Sequence, residues 1–519
     1  MRFELHAAQY VLFALALSSV VPDAARAQSD TSFRAFAQPS DGPMDIQPSP
    51  DVDQDLFLVH GLRLIYTNWP NSDDQKKIAK DLATMRGLAT TLRNAGSGRG
   101  ADRELLAAYD NCLSLMDAYE TYLTNIGAIN RQTLQSAAQA LLGALWDAGG
   151  DWAKGKWIEG KSSEDAQKGA AFTFLWEGAK TTYSVTRERQ AAMEAEKQKF
   201  AAQSNTVFAS ANTLVQKLAS EHRWQPGEAS LETSRESLRD QANHRYRDPF
   251  ALLALATVDE PNETAAIAVT KANYCIRAAQ LVPAGDGYAT FRNGFISQAL
   301  GFALQAAFLE RPYYAGPPSS SAPLALRLAR TYLMMDPADQ SGFGRVQLER
   351  ALGFNGRYNE ALDTAYAISK QWGSDPAFAY RYALLMSLTN SPDRAAQYLA
   401  LAYNLGYNDV HDVRVTPDFE VLRRARPQLF DQLTTVKVSP SIHFYPLLPD
   451  DILIRNDSPF ELTNVRFKAY ISNQGQQYTA DVAAKSIKPG ATYTAGSATY
   501  ITGNHYDSFT YSISCDQCK

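Results

Sequence analysis

The chain has 519 residues and a formal net charge of −5, and 45% of its residues are hydrophobic. This apolar content is sufficient for real cores, and the length predicts about three domains. A mildly acidic chain without a concentrated basic stripe argues against nucleic acid as the main partner. Four cysteines are too few for a disulfide framework in a chain of this length.

The N-terminal residues have the pattern of an export signal. Arg2 precedes an apolar run over residues 10–21, and an Ala-Arg-Ala tripeptide ending at Ala27 offers the small residues that a signal peptidase reads. The run is too short for a permanent span, which needs about 20 apolar residues. We therefore expect residues 1–27 to be removed and the mature chain, without an integral membrane span, to be periplasmic or extracellular. An uncleaved anchor is the alternative, because Glu4 weakens the basic start.

A leader and a helical bundle are predicted next. Residues 28–53 are polar and rich in Pro, Ser, Asp and Gln, so they cannot bury enough surface to order themselves and should form a flexible leader. From Leu56 to about Ala148, apolar residues recur at three- and four-residue steps, which predicts amphipathic helices that pack as a bundle. With a long stalk-like helix that follows, this domain is expected to cover residues 54–250. One helix opens at a capping box formed by Ser72 and Gln75, and the glycines of residues 96–100 end it.

The later part of this bundle contains two unusual segments. Residues 162–220 keep an apolar seven-residue spacing, but charged residues interrupt the second stripe of a coiled coil, so we predict a stalk-like helix with a solvated middle. Residues 143–178 alternate glycines with four tryptophans. These tryptophans are interpreted as capping the bundle; the alternative is close packing against a membrane surface or a partner.

An internal period in the second half of the chain is the most informative feature. Six positions of one stretch are matched by six positions that lie 34 residues further on. They are Leu348, Leu352, Gly356, Tyr358, Ala361 and Ile368, followed by Tyr382, Met386, Asn390, Pro392, Ala395 and Ala402.

This pattern resembles the tetratricopeptide repeat family over about residues 294–433. The resemblance implies stacked helical hairpins, with Gly294–Glu310 and Pro323–Met335 as degenerate units. The chain departs from the family pattern at Arg345, where the usual aromatic residue is missing, and at Pro392, which replaces Tyr. A generic array of helical hairpins is the alternative.

Two segments flank the matched repeats. The stretch after Asn404 looks like the closing segment that follows such repeats, with a turn at Gly406 and Asp409 and a short helix around Phe419–Arg424. It would cover the apolar face of the last hairpin, as stacked repeats require. Residues 310–323 form a loop rich in Pro and Ser, which is a candidate insertion or hinge.

From residue 436 the composition changes to short runs that alternate apolar and polar residues, which is typical of strands. Turn signals separate these runs at residues 473–475 and 488–490. The pattern predicts a small β-sandwich over residues 436–519 that loosely resembles extracytoplasmic Ig-like modules. The predicted strands are 451–455, 465–472, 478–484, 492–500 and 508–515.

Two cysteines lie at the end of this module. Cys515 and Cys518 have the spacing of a redox or metal pair. A second pair of ligands is absent from the sequence, and the motif follows a strand instead of opening a helix. We therefore predict a disulfide between these two cysteines.

The predicted fold class is mainly α, with a helical bundle over 54–250, tetratricopeptide-like hairpins over 251–435 and a C-terminal β-sandwich. The seven histidines are scattered, and no phosphate-binding, dinucleotide-binding or nucleophile-elbow motif is present. We accordingly predict no catalytic residue, cofactor or metal site. The leading hypothesis is a non-enzymatic scaffold of the cell envelope that binds a partner peptide or helix in a helical-repeat groove. The alternative is an envelope enzyme that acts on glycan near residues 143–178, because tryptophan faces bind sugar rings.

The first helix of each hairpin is expected to line this groove. The candidate partner-binding residues are Arg345, Glu349, Tyr380 and Tyr382. Tyr382 occupies the repeat position of Leu348, so a lining role and a core role are both open for it.

We predict that the exported protein begins at Gln28, because Ala27 and the small residue two positions earlier satisfy the signal peptidase. N-terminal sequencing of the exported protein measures this directly. Ala27→Phe should block processing, since a bulky residue does not fit the cleavage position. Retention of Met1 in the exported wild-type protein would contradict the prediction.

Overall fold

The computed structural model describes residues 41–49, 52–67, 75–125, 187–224, 247–257, 262–443, 450–499 and 506–518. Within these ranges the chain is mainly α-helical, with two three-stranded antiparallel sheets near its C-terminus, so the predicted fold class is confirmed. Two compact units are present. The first contains the described residues up to 310 together with 323–338, and the second contains 311–322 and the described residues from 339 onward. The boundaries expected near residues 250 and 435 stay predictions.

Several predicted features lie outside the described residues. They are the export signal at residues 1–27, the capping residue Ser72 and the Trp/Gly-rich segment 143–178. None of the helices in the described ranges combines the length and the apolar content that a membrane crossing requires.

The first unit is built from eight helices that the structure describes. They are α1 (Gln54–Thr67), α2 (Gln75–Ser97), α3 (Arg103–Asn125), α4 (Arg187–Glu221), α5 (Pro249–Ala256), α6 (Ala265–Gln280), α7 (Ala289–Glu310) and α8 (Ala322–Met335, whose first residue belongs to the second unit). The apolar steps seen in the sequence are its core: α2 buries Leu82, Met85, Leu88 and Leu92. Helix α2 ends within the predicted glycine run, where Ala101 N donates to Gly96 O at 3.2 Å.

Residues 41–49 correct the prediction of a flexible leader over 28–53. Met44 and Ile46 are buried in the first unit. The backbone is also held, because Met44 N donates to Thr331 Oγ1 at 2.7 Å and Ser49 N donates to Gln280 O at 2.8 Å. Two apolar side chains with paired backbone groups are enough to fix a segment whose overall composition is polar.

Helix α4 packs on α3 along a seam that the sequence only half identified. Phe200 and Leu214 of the predicted stripe are buried, and Phe200 stacks on Tyr119 with ring centroids 5.0 Å apart. The second track consists of Ser204, Ala211 and Leu218, all buried. The sequence pattern placed this second track one residue earlier, where charged and polar residues lie. Small residues at the contact let the two helices approach over this part of α4.

A buried ionic cluster joins α1 to the start of α5 within the first unit. Arg63 pairs with Asp248, and His60 Nδ1 lies 3.6 Å from the same carboxylate. Asp248 also caps α5 by accepting from Phe250 N and Ala251 N. All three charged or polar side chains are inaccessible to solvent, and burial lowers the pKa of Arg63 to about 9 and that of His60 well below its usual value. Removing either ion would leave its partner buried without a countercharge, which typically costs about 3–5 kcal/mol.

The helices of the second unit follow the predicted period. They are α9 (Phe343–Phe354), α10 (Tyr358–Trp372), α11 (Pro376–Leu388), α12 (Pro392–Asn404), α13 (Val410–Val415), α14 (Glu420–Ala425) and α15 (Pro427–Thr434). Helices α9 and α10 form one hairpin, and α11 and α12 form the next. Ala361 and Ala395, the small residues 34 positions apart, are both fully buried at the second helix of their hairpins.

The turn inside each hairpin repeats with the same offset. Gly356 and Asn390 both have left-handed backbone, with φ of +72° and +61°. Arg357 N donates to Leu352 O at 3.0 Å, and Ser391 N donates to Met386 O at 2.8 Å. Only glycine, and less readily asparagine, adopts this backbone cheaply, which explains why these two residues occupy the matched positions.

The segment after the second hairpin closes it as the sequence predicts. A 3₁₀ turn at Pro417–Phe419 leads into α14, close to the predicted helix around Phe419–Arg424. Helices α14 and α15 pack on α12, and Phe419, Leu422 and Phe430 are buried there.

The described part of the C-terminal region contains six strands in two antiparallel sheets. They are β1 (Val438–His443), β2 (Asp450–Asn456), β3 (Leu462–Asn473), β4 (Gln476–Ile487), β5 (Thr492–Thr499) and β6 (Ser508–Ser514). The strand orders are β1-β2-β5 and β4-β3-β6. All five predicted strands are confirmed, and β1 is an additional edge strand whose Pro440 and serines hid it from the sequence pattern.

The cysteines divide into one bonded pair and two buried thiols. A disulfide joins Cys515 to Cys518, where the sequence predicts one. Between them, Gln517 Oε1 accepts from Thr463 N at 2.8 Å, which fixes the end of the chain to β3. Cys112 and Cys275 are buried and reduced, and burial raises the pKa of the Cys112 thiol to about 12.

We expect Ala361→Leu to lower the free energy of unfolding by about 1–3 kcal/mol, because overpacking a tight helix contact forces the helices apart. Thermal or denaturant unfolding measures the change. Ala367→Leu, at an exposed position of the same helix, is the matched control and should be nearly neutral. Equal stability of the two variants would show that α10 does not pack tightly through Ala361.

Candidate functional site

The four predicted groove residues are not equally accessible. Arg345 keeps 40% of its side chain exposed and lies 3.6 Å from Asp339. Glu349, Tyr380 and Tyr382 are buried, so they do not line an open surface. The two tyrosines are buried because α11 is enclosed by α10, α12 and the closing segment, and therefore packs on nearly all its faces. Glu349 lies on α9 and is buried with its ion-pair partner Arg381. Whether any of the four binds a partner stays a prediction.

The buried residues of this set contact other parts of the second unit. Glu349 Oε2 accepts from Arg381 Nε at 3.0 Å. The Tyr380 hydroxyl donates to Asp412, and its ring stacks on Tyr407 at 4.2 Å. Tyr382 lies 4.5 Å from the ring of Tyr398, in the core role that its repeat position left open.

A different set of residues forms the best-defined site of the second unit. It consists of Gly353 and Phe354 at the end of α9, Tyr358 at the start of α10 and Asp418 in the 3₁₀ turn, and we call it the inner site. Residues 311–318, which we call the internal segment, occupy it. The loop over residues 310–323, predicted as a candidate insertion or hinge, is held at these residues by groups of the α9–α10 hairpin and of the 3₁₀ turn.

The inner site holds the main chain of the internal segment on two sides. The Asp418 carboxylate accepts from two consecutive amides, Tyr314 N at 3.0 Å and Ala315 N at 2.5 Å. On the other side, the Tyr358 hydroxyl donates to Tyr314 O at 2.6 Å. Asp418 is almost fully buried, so each of these hydrogen bonds to a charged acceptor forms away from water and is correspondingly strong.

The ring of Tyr314 fills a pocket that Gly353 makes possible. The ring meets Phe354 edge to face with centroids 5.0 Å apart. A Cβ at Gly353 would lie 2.8 Å from Tyr314 Cζ, so any larger residue at 353 would displace the ring. Burial, followed by the nearby Glu349 carboxylate, raises the pKa of the Tyr314 hydroxyl, which therefore stays protonated.

Arg311 shapes the internal segment itself. Its Nη2 donates to Phe354 O at 3.0 Å, and its Nη1 donates to Ala315 O at 3.3 Å and to Pro317 O. The segment consequently bends around the guanidinium, and Gly316 takes a φ of +105° in this bend. A residue with a side chain would be strained at that position.

Burial also affects the carboxyl group of Asp418. It raises the pKa of Asp418 from 3.8 to about 6, although the amides of Tyr314 and Ala315 and the Arg311 guanidinium act in the opposite direction. Nearby Asp412 adds to the rise. The folded second unit thus takes up a proton at Asp418 at a higher pH than an unfolded chain does.

The first unit contains two features that could serve as a binding or catalytic site, a group of possible metal ligands and a cavity. Among the described residues, Asp53, Asp55 and His222 could converge on a cation. Their carboxylates already have structural roles: Asp53 caps α1 and accepts from Trp224 Nε1, and Asp55 accepts from Asp102 N. A cavity of about 210 Å³ between α3 and α4 is lined mostly by small or apolar side chains, and its one carboxylate, Glu104, pairs with Lys217 at 2.7 Å.

Only a weak signal in the sequence indicates the inner site. Two adjacent tyrosines between prolines at 312 and 317 are unusual in a surface linker, and Asp418 follows a proline in the closing segment. Nothing local connects these stretches, which are about 100 residues apart, so only the tertiary structure brings them together.

Comparisons of the chain with protein-family models, with curated proteins and with solved structures found no match.

We predict that the contribution of Asp418 to stability falls as the pH rises through about 6. Between pH 3.8 and about 6 the folded chain binds more protons at this group than the unfolded chain, so the free energy of unfolding decreases with pH there. From pH 7 to pH 5 the wild type should gain about 1 kcal/mol relative to Asp418→Asn in denaturant unfolding. Asp363→Asn, at an exposed position of α10, is the control and should track the wild type at both pH values. A constant difference between wild type and Asp418→Asn would contradict the prediction.

Proposed function

We propose that the protein is a non-enzymatic interaction scaffold of the cell envelope and that it binds a partner peptide or helix in the groove of its helical hairpins. The observation that carries this proposal is the internal segment in the inner site. A surface that fixes an irregular stretch of main chain through paired amides, a carbonyl and one aromatic ring has the components that peptide recognition needs.

The repeated hairpins support the same proposal. Helices α9 to α12 recur with an offset of 34 residues, and the turns and buried alanines recur with them. Stacked hairpins present an extended surface built from equivalent helices, which is how helical repeat proteins bind partners. Membership of the tetratricopeptide family is part of the proposal.

The described polar clusters support a binding role over a catalytic one. The buried charges pair with one another, as in Arg63 with Asp248 and Glu349 with Arg381. The lining of the cavity between α3 and α4 contains a single carboxylate, whereas a glycan-cleaving site needs at least two. The alternative of a glycan-active enzyme places its site at 143–178, outside the described residues, so no described observation favours it.

The proposed compartment rests on the N-terminal pattern and on the cysteines. An export signal ending at Ala27 directs the chain out of the cytoplasm. The Cys515–Cys518 disulfide is compatible with an oxidising compartment.

A photo-crosslinking amino acid at Arg345 tests the proposal in cells that export the protein. Arg345 is the accessible member of the predicted set, so a bound partner should give a covalent adduct of one defined mass there. The same probe at Lys370, exposed on α10, is the matched control and should give none. No adduct at Arg345, or the same adducts at both positions, would contradict the scaffold.

A further inference from the structure

We infer that the internal segment is a built-in ligand, and that the partner of the inner site is a peptide of the form Arg-x-x-Tyr-small-Gly that displaces it. This inference rests on the proposed function and specifies the chemical class of the partner. The four defined positions correspond to Arg311, Tyr314, Ala315 and Gly316 of the internal segment.

The main-chain contacts require a peptide, but they do not select its sequence. Asp418 accepts two successive backbone amides, and Tyr358 donates to the carbonyl of the same residue. Any peptide whose residues at these two positions are not proline offers the same donors and acceptor. The amides are satisfied by groups outside the segment, so a peptide from another chain can make the same hydrogen bonds.

The side-chain contacts supply the selection. The pocket beside Gly353 and Phe354 takes a flat ring, since no Cβ stands at 353. A residue with a positive φ follows one position after the small residue, which demands glycine. The guanidinium at the first position donates to the Phe354 carbonyl at 3.0 Å. It also stabilises the bend by donating to the carbonyl of the small residue.

One buried polar group near the ring of Tyr314 is unsatisfied while the internal segment occupies the inner site. Glu349 Oε1 is fully buried and has no hydrogen-bond partner among the described residues, although its other oxygen pairs with Arg381. A buried acceptor without a donor is destabilising, because it has lost its hydrogen bonds to water and gained none in the protein. The internal segment therefore does not satisfy every polar group near its ring, and a partner peptide that brings a donor to Glu349 can bind better.

Fluorescence anisotropy of a labelled peptide with the sequence of residues 310–320 tests the inference on the full mature chain. Tyr314→Gly removes the built-in ring and should bind this peptide at least tenfold more tightly than the wild type does. A peptide with glycine at the position of Tyr314 should not bind. A peptide with glycine at the position of Tyr313 is the matched control, and it should bind like the parent because Tyr313 is exposed in the structure.

Hydrogen exchange on the unmodified chain provides a second measurement that does not depend on the folding of a variant. Saturating parent peptide should speed the exchange of the chain's own amides at 314 and 315 at least tenfold, because the peptide takes their place at Asp418. The peptide lacking the tyrosine should leave both rates unchanged. Unchanged rates with the parent peptide, or equal binding of all three peptides to Tyr314→Gly, would overturn the inference. Dimers of the wild-type chain that exchange residues 311–318 between copies would also overturn it, since the segment would then be an oligomerisation element.

The two proposals can fail separately. If Arg345 still gives a defined adduct while neither peptide measurement responds, the scaffold stands and the built-in ligand is wrong. If the peptide binds and no partner reaches Arg345, the scaffold as proposed is wrong and the inner site is a peptide site used in some other way.

Discussion

The bond between the Asp418 carboxylate and the two amides at 314 and 315 is the contact on which the arrangement of the second unit depends. It fixes a loop from before the hairpins to a turn that follows them. A buried carboxylate destabilises the fold unless it is fully hydrogen-bonded, and buried amides likewise require an acceptor. The carboxylate and the two loop amides satisfy each other. The raised pKa of Asp418 shows that this compensation is incomplete, because desolvation exceeds the stabilisation that the amides and Arg311 supply.

Features set by short-range chemistry were predicted well. The 34-residue offset was visible because a left-handed turn requires residues such as Gly356 and Asn390, and because a close helix crossing requires Ala361 and Ala395. The five strands followed from alternation between turn signals. Strand β1 was missed because an edge strand with serines and a proline has no clear alternation to detect. A turn or a strand was predicted correctly where the residues that determine it are close together in the sequence.

The candidate site was predicted poorly for the opposite reason. Glu349 and Tyr380 carry polar groups on the first helices of the hairpins, where glutamate is normally exposed and tyrosine is often partly so. Their partners, Arg381 and Asp412, lie 32 residues further on, and these pairings allow both to be buried. Residues 41–49 were misjudged in the same way, since their composition is polar but Met44 and Ile46 find a core formed by distant residues. Composition reports the average polarity of a segment, whereas one or two buried side chains are enough to hold the segment in place.

A tethered ligand changes what a partner must do. A segment of the same chain that is held near its site acts at a high effective concentration, on the order of millimolar for short flexible linkers, so a competitor must exceed that advantage to occupy the site. The apparent affinity of the partner is reduced by the fraction of time that the site is filled by the segment. Weak peptides that share only the main-chain contacts to Asp418 are thereby excluded, since the segment already makes those contacts without losing the freedom of a separate molecule. A peptide that adds something the segment lacks, such as a donor for Glu349, displaces the segment at a lower concentration than a peptide that only reproduces its contacts. The imperfect fit of the built-in ligand and the selectivity of the site are thus two consequences of the same geometry.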